Sequence, residues 1–177
     1  MIEILRLNHR KERDKRITTH LALSVRVLYP NAKIYYSGDK DEKFEKSIAK
    51  LQEKWGHAVS IEYVSNAKKL VVSKKSKGYV VVHLTMYGLN YKEKIRELNT
   101  ASNLLIIVGS EKVPGWVYEL ADHNIAVGHQ PHSELTALTL LLYELNDCKL
   151  KDNNIKSDLQ IIPQEKGKKV IESDKQI

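Results

Sequence analysis

The sequence predicts an α/β fold, a mostly parallel sheet flanked by helices. Short apolar, β-branched runs alternate with longer stretches of helical period about six times along the chain. Two of the runs, YVVVHLT (79–85) and NLLIIVG (103–109), are almost wholly apolar and bounded by turn residues, the texture of strands covered on both faces.

IEILRL (2–7) reads as the first strand. Asp14 is placed to cap a helix whose apolar face is Ile17, Leu21, Val25 and Leu28, ended by Pro30. AKIYYS (32–37) follows as the second strand. Phe44, Ile48, Leu51 and Trp55 then recur at helical spacing, with Gly56 as a stop. AVSIEYV (58–64) supplies a third strand and runs into a lysine-rich segment whose pattern leaves its form open. A short helix at 91–98 separates the two apolar strands. Pro114 opens another helix, with Val117, Leu120 and Ala121 on its inner side, and NIAVG (124–128) is the next strand. Leu135, Leu138, Leu142 and Leu145 mark an amphipathic helix. Beyond Cys148 the texture turns polar, and DLQIIP and KKVIES flank QEKG like the arms of a hairpin. The expected division is a domain over 1–149 and an extension over 150–177. Two strands alone are marginal in water, so the extension is expected to pack on its own domain or on a second subunit.

A chain of 177 residues is long enough to bury a substantial core as one domain. Its net charge of +7 favours a polyanionic partner. The single cysteine, Cys148, excludes an internal disulfide framework. No apolar run is long enough to span a bilayer, and the N-terminal charges follow a short apolar run, the reverse of a signal peptide. A cytoplasmic location without membrane attachment is expected.

Ligands of parallel α/β sheets bind beyond the carboxyl ends of the strands. Three consecutive strands end in unusual loops: LTMYG (84–88), GSEKVPG (109–115) and GHQPHSE (128–134). If those strands are neighbours, the loops converge on one cavity. Neither a G-x-G-x-x-G turn nor a G-x-x-x-x-G-K-[ST] loop is present, which disfavours a pyrophosphate cradle. The carboxylates Glu111 and Glu134 and the loop backbone suit a ligand carrying ammonium or sulfonium charge and an adenine. GHQPHSE itself admits three readings: a helix cap, an H-x-x-H metal site, or a loop holding a small molecule. With Pro131 between them, His129 and His132 do not share a helix face, and no third ligand is spaced nearby, so no metal is expected. Pro131 suits a first helical turn, and Glu134 complements the helix dipole.

A second constellation, RLNHRKERDKRITTH (6–20), crowds Arg10, Lys11, Arg13, Lys15 and Arg16 at the junction of the first strand and first helix. Cations there oppose the helix dipole, and arginine grips phosphate bidentately. The junction is therefore a candidate for phosphate contact and catalysis.

RLNHRKERDKRITTH, VHLTMYG, IIVGSEKVP and GHQPHSELTAL, in this order over residues 1 to about 145, resemble the archaeal tRNA ribose 2′-O-methyltransferases that modify cytidine 56, members of the SPOUT class. The resemblance implies a deep C-terminal trefoil knot, a homodimer, a tRNA substrate and S-adenosyl-L-methionine as methyl donor. It places cofactor contacts on Leu84, on Gly109, Ser110, Glu111, Lys112 and Val113, and on Val127, Gly128, His129, Gln130, Pro131, His132, Ser133 and Glu134. Related enzymes of the class are thought to use an arginine of the first motif, helped by a serine of the last. In the wider class that arginine lies further along the helix, where Leu23 stands here. Arg16 is the first choice for the role, with Ser133 assisting; Arg13 and Arg10 are the neighbouring candidates, and His20 is a runner-up base. The rival readings are a non-catalytic RNA-binding module that retains the cavity, and a hydrolase built on His129 and His132.

Overall fold

The computed structural model describes residues 1–56, 59–109, 112–150 and 157–172. In chain order the elements are β1 (Ile2–His9), α1 (Lys15–Leu28), β2 (Lys33–Gly38), α2 (Glu42–Trp55), β3 (Ser60–Tyr63), α3 (Ala67–Ser76), β4 (Val80–Asn90), α4 (Tyr91–Thr100), β5 (Leu104–Val108), α5 (Gly115–Leu120), β6 (His123–Ala126) and α6 (Glu134–Leu145). Six strands form one parallel sheet in the order β3-β2-β1-β5-β4-β6. The chain winds outward from β1 to β3, crosses to β4, and inserts β5 between β4 and β1.

Period-2 alternation assigns the two faces of the sheet. Ile4, Ile34, Val82 and Ile106 face a large core closed by α1, α2, α4 and α6 through Leu21, Val25, Phe44, Ile48, Leu98, Leu138 and Leu142. Leu5, Leu7, Val81, Leu105 and Ile107 face a smaller core closed by Val71 of α3 and Val117 of α5. β1 and β5 are central, which explains their continuous burial.

The lysine-rich segment after β3 is a helix, α3, capped by the Asn66 side chain accepting from Lys69 N at 2.9 Å. Its Lys74 turns inward, pairs with Glu3 and lies 4.6 Å over the Tyr79 ring. Lysine spacing alone hides this, because a stem covered by aromatic rings looks like any other lysine in sequence. The expected hairpin is present as β7 (Leu159–Ile162) and β8 (Lys169–Glu172), antiparallel and forming a separate sheet.

Two local expectations need correction. Asp14 stands at the N-cap position of α1, but its side chain makes no cap hydrogen bond, because it is held by Arg10 instead. LTMYG is not a loop leaving the sheet. β4 continues through it to Asn90 with a shift in register, so that Leu84 and Leu89 both pair with Ile125 of β6. Residues 85–88 bow out around one β6 residue and return. Gly88 makes the return possible: a Cβ there would lie 2.4 Å from the carbonyl carbon and oxygen of Asn124 and from Ile125 N. Backbone atoms cannot rotate away as a side-chain tip can.

Gly88→Ala is therefore expected to destabilise the fold by about 3 kcal/mol or more, at or beyond the upper end for overpacking. Gly115→Ala, where an added Cβ meets nothing within 4 Å, should be neutral or stabilising. Urea titrations of the two variants beside the parent check this; equal midpoints would refute the steric reading of Gly88.

Candidate functional site

The carboxyl ends of β5, β4 and β6 are adjacent in the sheet, and they surround a cavity of about 500 Å³. One wall is the bowed part of β4, with Leu84, Thr85, Met86 and Tyr87. A second follows β5, with Gly109, Lys112 and Val113; the third follows β6, with Val127, Gln130, Pro131, His132 and Glu134. His83, Tyr118 and Ala137 complete the lining. Ser110 and Glu111 lie outside the described residues.

Gly128, His129 and Ser133 are not part of this lining, and the last two have other local roles. His129 Nδ1 donates to the Met86 carbonyl at 3.0 Å, fastening the β6 loop to the bow of β4. Ser133 caps α6, its Oγ accepting from Leu135 N at 3.2 Å. The helix starts at Glu134, so Pro131 precedes the cap and is not in the first turn as expected; His132 Nδ1 contacts the Ser133 carbonyl at 3.1 Å. Glu134 does occupy that first turn, where its charge complements the helix dipole.

His83 is fully buried in the cavity wall. Asn124 donates from Nδ2 to the Tyr118 carbonyl at 3.0 Å, which turns its Oδ1 toward His83 Nδ1 at 2.8 Å. His83 thus carries its proton on Nδ1. Burial pushes its pKa below the ordinary histidine value, with the Asn124 hydrogen bond opposing, so the ring is neutral near pH 7.

The arginine-rich junction sits at the same sheet edge, because α1 follows β1 as α6 follows β6, and α1 packs along α6. Arg13 and Arg16 are exposed at the start of α1. Arg10 grips Asp14 through Nε at 3.0 Å and Nη2 at 2.9 Å. Two residues here were not singled out by sequence. Arg6, fully buried on the α6 side of β1, places Nη2 2.9 Å from Glu134 Oε1 and 3.9 Å from Asp14 Oδ2. Burial pushes the Arg6 pKa down, while Glu134 and Asp14 oppose the shift. His9, also fully buried, spans Thr18 Oγ1 of α1 at 2.9 Å and Asp41 Oδ2, the cap of α2, at 3.5 Å. A signal for Arg6 did exist: it stands two residues after Ile4, on the same inward face of a strand. A guanidinium there requires a buried carboxylate.

Residues 55–171 match the family described as tRNA ribose 2′-O-methyltransferase, aTrm56. The chain belongs to that family. Among curated relatives it is 46% identical over 168 residues to the tRNA (cytidine(56)-2′-O)-methyltransferase of Methanopyrus kandleri, covering 94% of both chains. It is 45% identical to the protein of the same name from Thermococcus kodakarensis, covering 97% of both. These matches extend well beyond the residues of the family match. Among solved structures, the A. aeolicus TrmH/SpoU tRNA modifying enzyme superposes with a TM-score of 0.62 at 19% identity, over 83% of this chain and 74% of that one. The SpoU methyltransferase AviRb from Streptomyces viridochromogenes, solved with the cofactor AdoMet, gives 0.61 at 13% identity, over 83% of this chain and 57% of that one. At such low identity these structures establish the shared fold: the parallel sheet of this family member is a SPOUT-type sheet.

Asp14 provides a pH test of the arginine junction. Burial pushes its pKa up, but the side-chain and backbone hydrogen bonds from Arg10, with the Arg10 and Arg6 charges, outweigh it and leave the net shift downward. A depressed carboxyl contributes stability above its unfolded pKa and loses it as pH falls through the folded value. Asp14→Asn should cost about 2–4 kcal/mol at pH 7, less than a fully buried pair because Arg10 is a third exposed. The gap should shrink progressively below about pH 4. Denaturation of both proteins across pH 2–7 measures it, and a gap independent of pH would refute the ionic role.

Proposed function

We propose that the chain transfers a methyl group from S-adenosyl-L-methionine to the ribose 2′-hydroxyl of cytidine 56 in tRNA. The observation that carries the reading is the meeting of the β4, β5 and β6 ends around one cavity, at the edge where the arginine junction also emerges. The cavity's size suits a nucleoside-sized ligand. Leu84, Val113, Val127 and Ala137 offer apolar surface for an adenine, and Glu134 offers a carboxylate to cationic charge. Residues 109–113 and 127–134, with Leu84, would hold this cofactor; when bound, it supplies an electrophilic methyl on a sulfonium.

The protein's own task is alignment. With the cofactor bound, the chain's residues would hold the ribose 2′-oxygen in line with the methyl it supplies and would let the hydroxyl proton pass to solvent at the rim of the cavity. Holding those atoms in line is worth on the order of 7–11 kcal/mol, more than a general base typically adds. Arg16 is our choice for the residue that grips the ribose–phosphate and stabilises the developing alkoxide. A guanidinium matches phosphate oxygens bidentately, and Ser133 assists from the start of α6. Arg13 and Arg10 extend the phosphate contact. The reading includes a deep trefoil knot, as the family resemblance implies, with the β6 loop forming part of the cofactor site.

A homodimer belongs to the same proposal. Leu23, Val27, Leu140, Tyr143 and Leu150 line an apolar groove of about 470 Å³ on α1 and α6, and Leu140 and Leu150 are exposed. A second copy laid on this face would bury it. Among the described residues no helix is long and apolar enough to cross a membrane, and a tRNA substrate fits a cytoplasmic location.

Labelled methyl transfer to an unmodified tRNA transcript, with the nucleotide mapped, tests the activity. Label on the ribose of cytidine 56 is expected; label on a base rejects the reading. Cofactor binding without transfer would favour a non-catalytic RNA-binding module. Arg16→Ala should lower kcat by about 10²-fold or more while cofactor affinity, measured by calorimetry, stays within twofold. Leu140→Glu should convert the dimer to a monomer in light scattering; a parent protein already monomeric at micromolar concentration would refute the dimer.

A further inference from the structure

The fold keeps its aromatic rings largely out of water, with one marked exception at the cavity. The chain has nine tyrosines, two tryptophans and one phenylalanine. Among the described residues two of these are exposed: Tyr143 at 37%, in the apolar groove on α1 and α6, and Tyr87 at 76%. Tyr87 lines the cavity from the bow of β4. Among the described residues its ring meets no other ring, and its hydroxyl has no hydrogen-bond partner. A ring left in water returns little of the stabilisation that burial would give, so the fold itself makes no use of it.

The backbone that carries this ring is pinned before and after it. The Met86 carbonyl accepts from His129 Nδ1 at 3.0 Å. The Tyr87 N–H donates to Thr85 Oγ1 at 3.4 Å. Gly88 is backed closely by the Asn124 and Ile125 backbone, and Leu89 is again in register with Ile125. An exposed ring on an unpinned loop would lose much of any contact energy to the cost of ordering the loop. Here the backbone is ordered beforehand, and a tyrosine has only two side-chain torsions left to fix.

Exposure also says which ligand the ring can meet. Leu84 and Ala137 are buried and Val113 and Val127 half-buried, so they form the inner apolar surface of the cavity; Tyr87 stands at its mouth. A ligand seated against the inner surface leaves the ring free for a group arriving from solvent. A nucleotide that puts its ribose 2′-oxygen into the cavity carries its base on the same sugar. With about 500 Å³ already taken up by a nucleoside-sized ligand, that base stays at the mouth.

We propose that Tyr87 stacks on the base of the nucleotide being methylated and so fixes how its ribose is presented to the cavity. Splayed-out bases of RNA are commonly held on an aromatic ring in this way. Every base has a π face, so the stack orients the nucleotide without selecting its identity. The inference rests on the ribose-methyltransferase reading above and adds the side chain that holds the target's base.

A double-mutant cycle with the full-length protein isolates the stack. Two labelled tRNA transcripts are compared, one with cytidine at position 56 and one with an abasic ribonucleotide there, which keeps the ribose and phosphate. Binding is measured with saturating sinefungin, an unreactive analogue of S-adenosylmethionine. Tyr87→Ala should weaken binding of the cytidine RNA about tenfold, within the range of one base–aromatic stack, and of the abasic RNA by less than about twofold. Tyr87→Phe, which keeps the ring, should recover cytidine-RNA binding to within about threefold of the parent. A purely structural role for Tyr87 would weaken both RNAs alike. Equal losses on the two RNAs overturn the proposal, as does a Tyr87→Ala variant that binds the cytidine RNA like the parent, or a Tyr87→Phe variant as weak as Tyr87→Ala. A parent that transfers no methyl to a tRNA ribose overturns the methyltransferase reading and this inference with it, a failure seen before any variant is made.

Discussion

The fit of β6 against the bowed end of β4 is the constraint on which the rest of the molecule depends. Ile125 is paired on one strand with both Leu84 and Leu89, so the intervening residues must leave the sheet and come back within a few ångströms of another backbone. Only a residue without Cβ fits the return at Gly88. Once this contact is made, three strand ends share one rim, and the residues after each of them face a common space. A straight β4 would close that space by continuing the sheet.

Burial explains why the site can be ordered without a large polar interior. The two apolar layers leave few charges inside, and those that remain are matched. Glu3 meets Lys74 and Tyr79 on one face; Arg6 meets Glu134 and Asp14 on the other. Such groups contribute little net stability compared with apolar replacements, but removing one partner is costly. Their arrangement therefore fixes geometry: α1, α6 and β1 are held in one relation at the rim, and the loops they carry inherit it. His9, between Thr18 and Asp41, extends the same fixation to α2.

Much of this was legible in sequence because it followed from period and punctuation. The parallel sheet, the helices on Phe44 or Leu138, and the late hairpin were all readable from apolar spacing and turn residues. The cavity was legible as a convergence of strand ends, and Leu84, Gly109, Lys112, Val113, Val127 and Glu134 do line it. What escaped depends on partners distant in sequence. Asp14 looks like a cap until Arg10 and Arg6 are placed beside it. Arg6 looks like one more basic residue until Glu134 arrives from the far end of the chain. The bow of β4 escaped because LTMYG reads as a loop that leaves the sheet, and nothing local says that Leu89 pairs with Ile125 again. Glu134 was placed correctly in the first turn of a helix, but Pro131 was taken too far into it, since Ser133 is the cap.

The sheet order also bears on how the protein is made. β1 emerges first during translation, yet Ile2 must wait for Leu104 to occupy its second edge, and the outer edge of β4 stays open until β6 follows. Pairings so distant along the chain form slowly and leave apolar edges uncovered in the interim. A nascent chain released before β6 would hold much of the sheet with its rim unformed and its apolar edge strand bare, a natural substrate for chaperones. Since the third wall of the cavity comes after β6, small-molecule binding becomes possible only when synthesis of the sheet is complete.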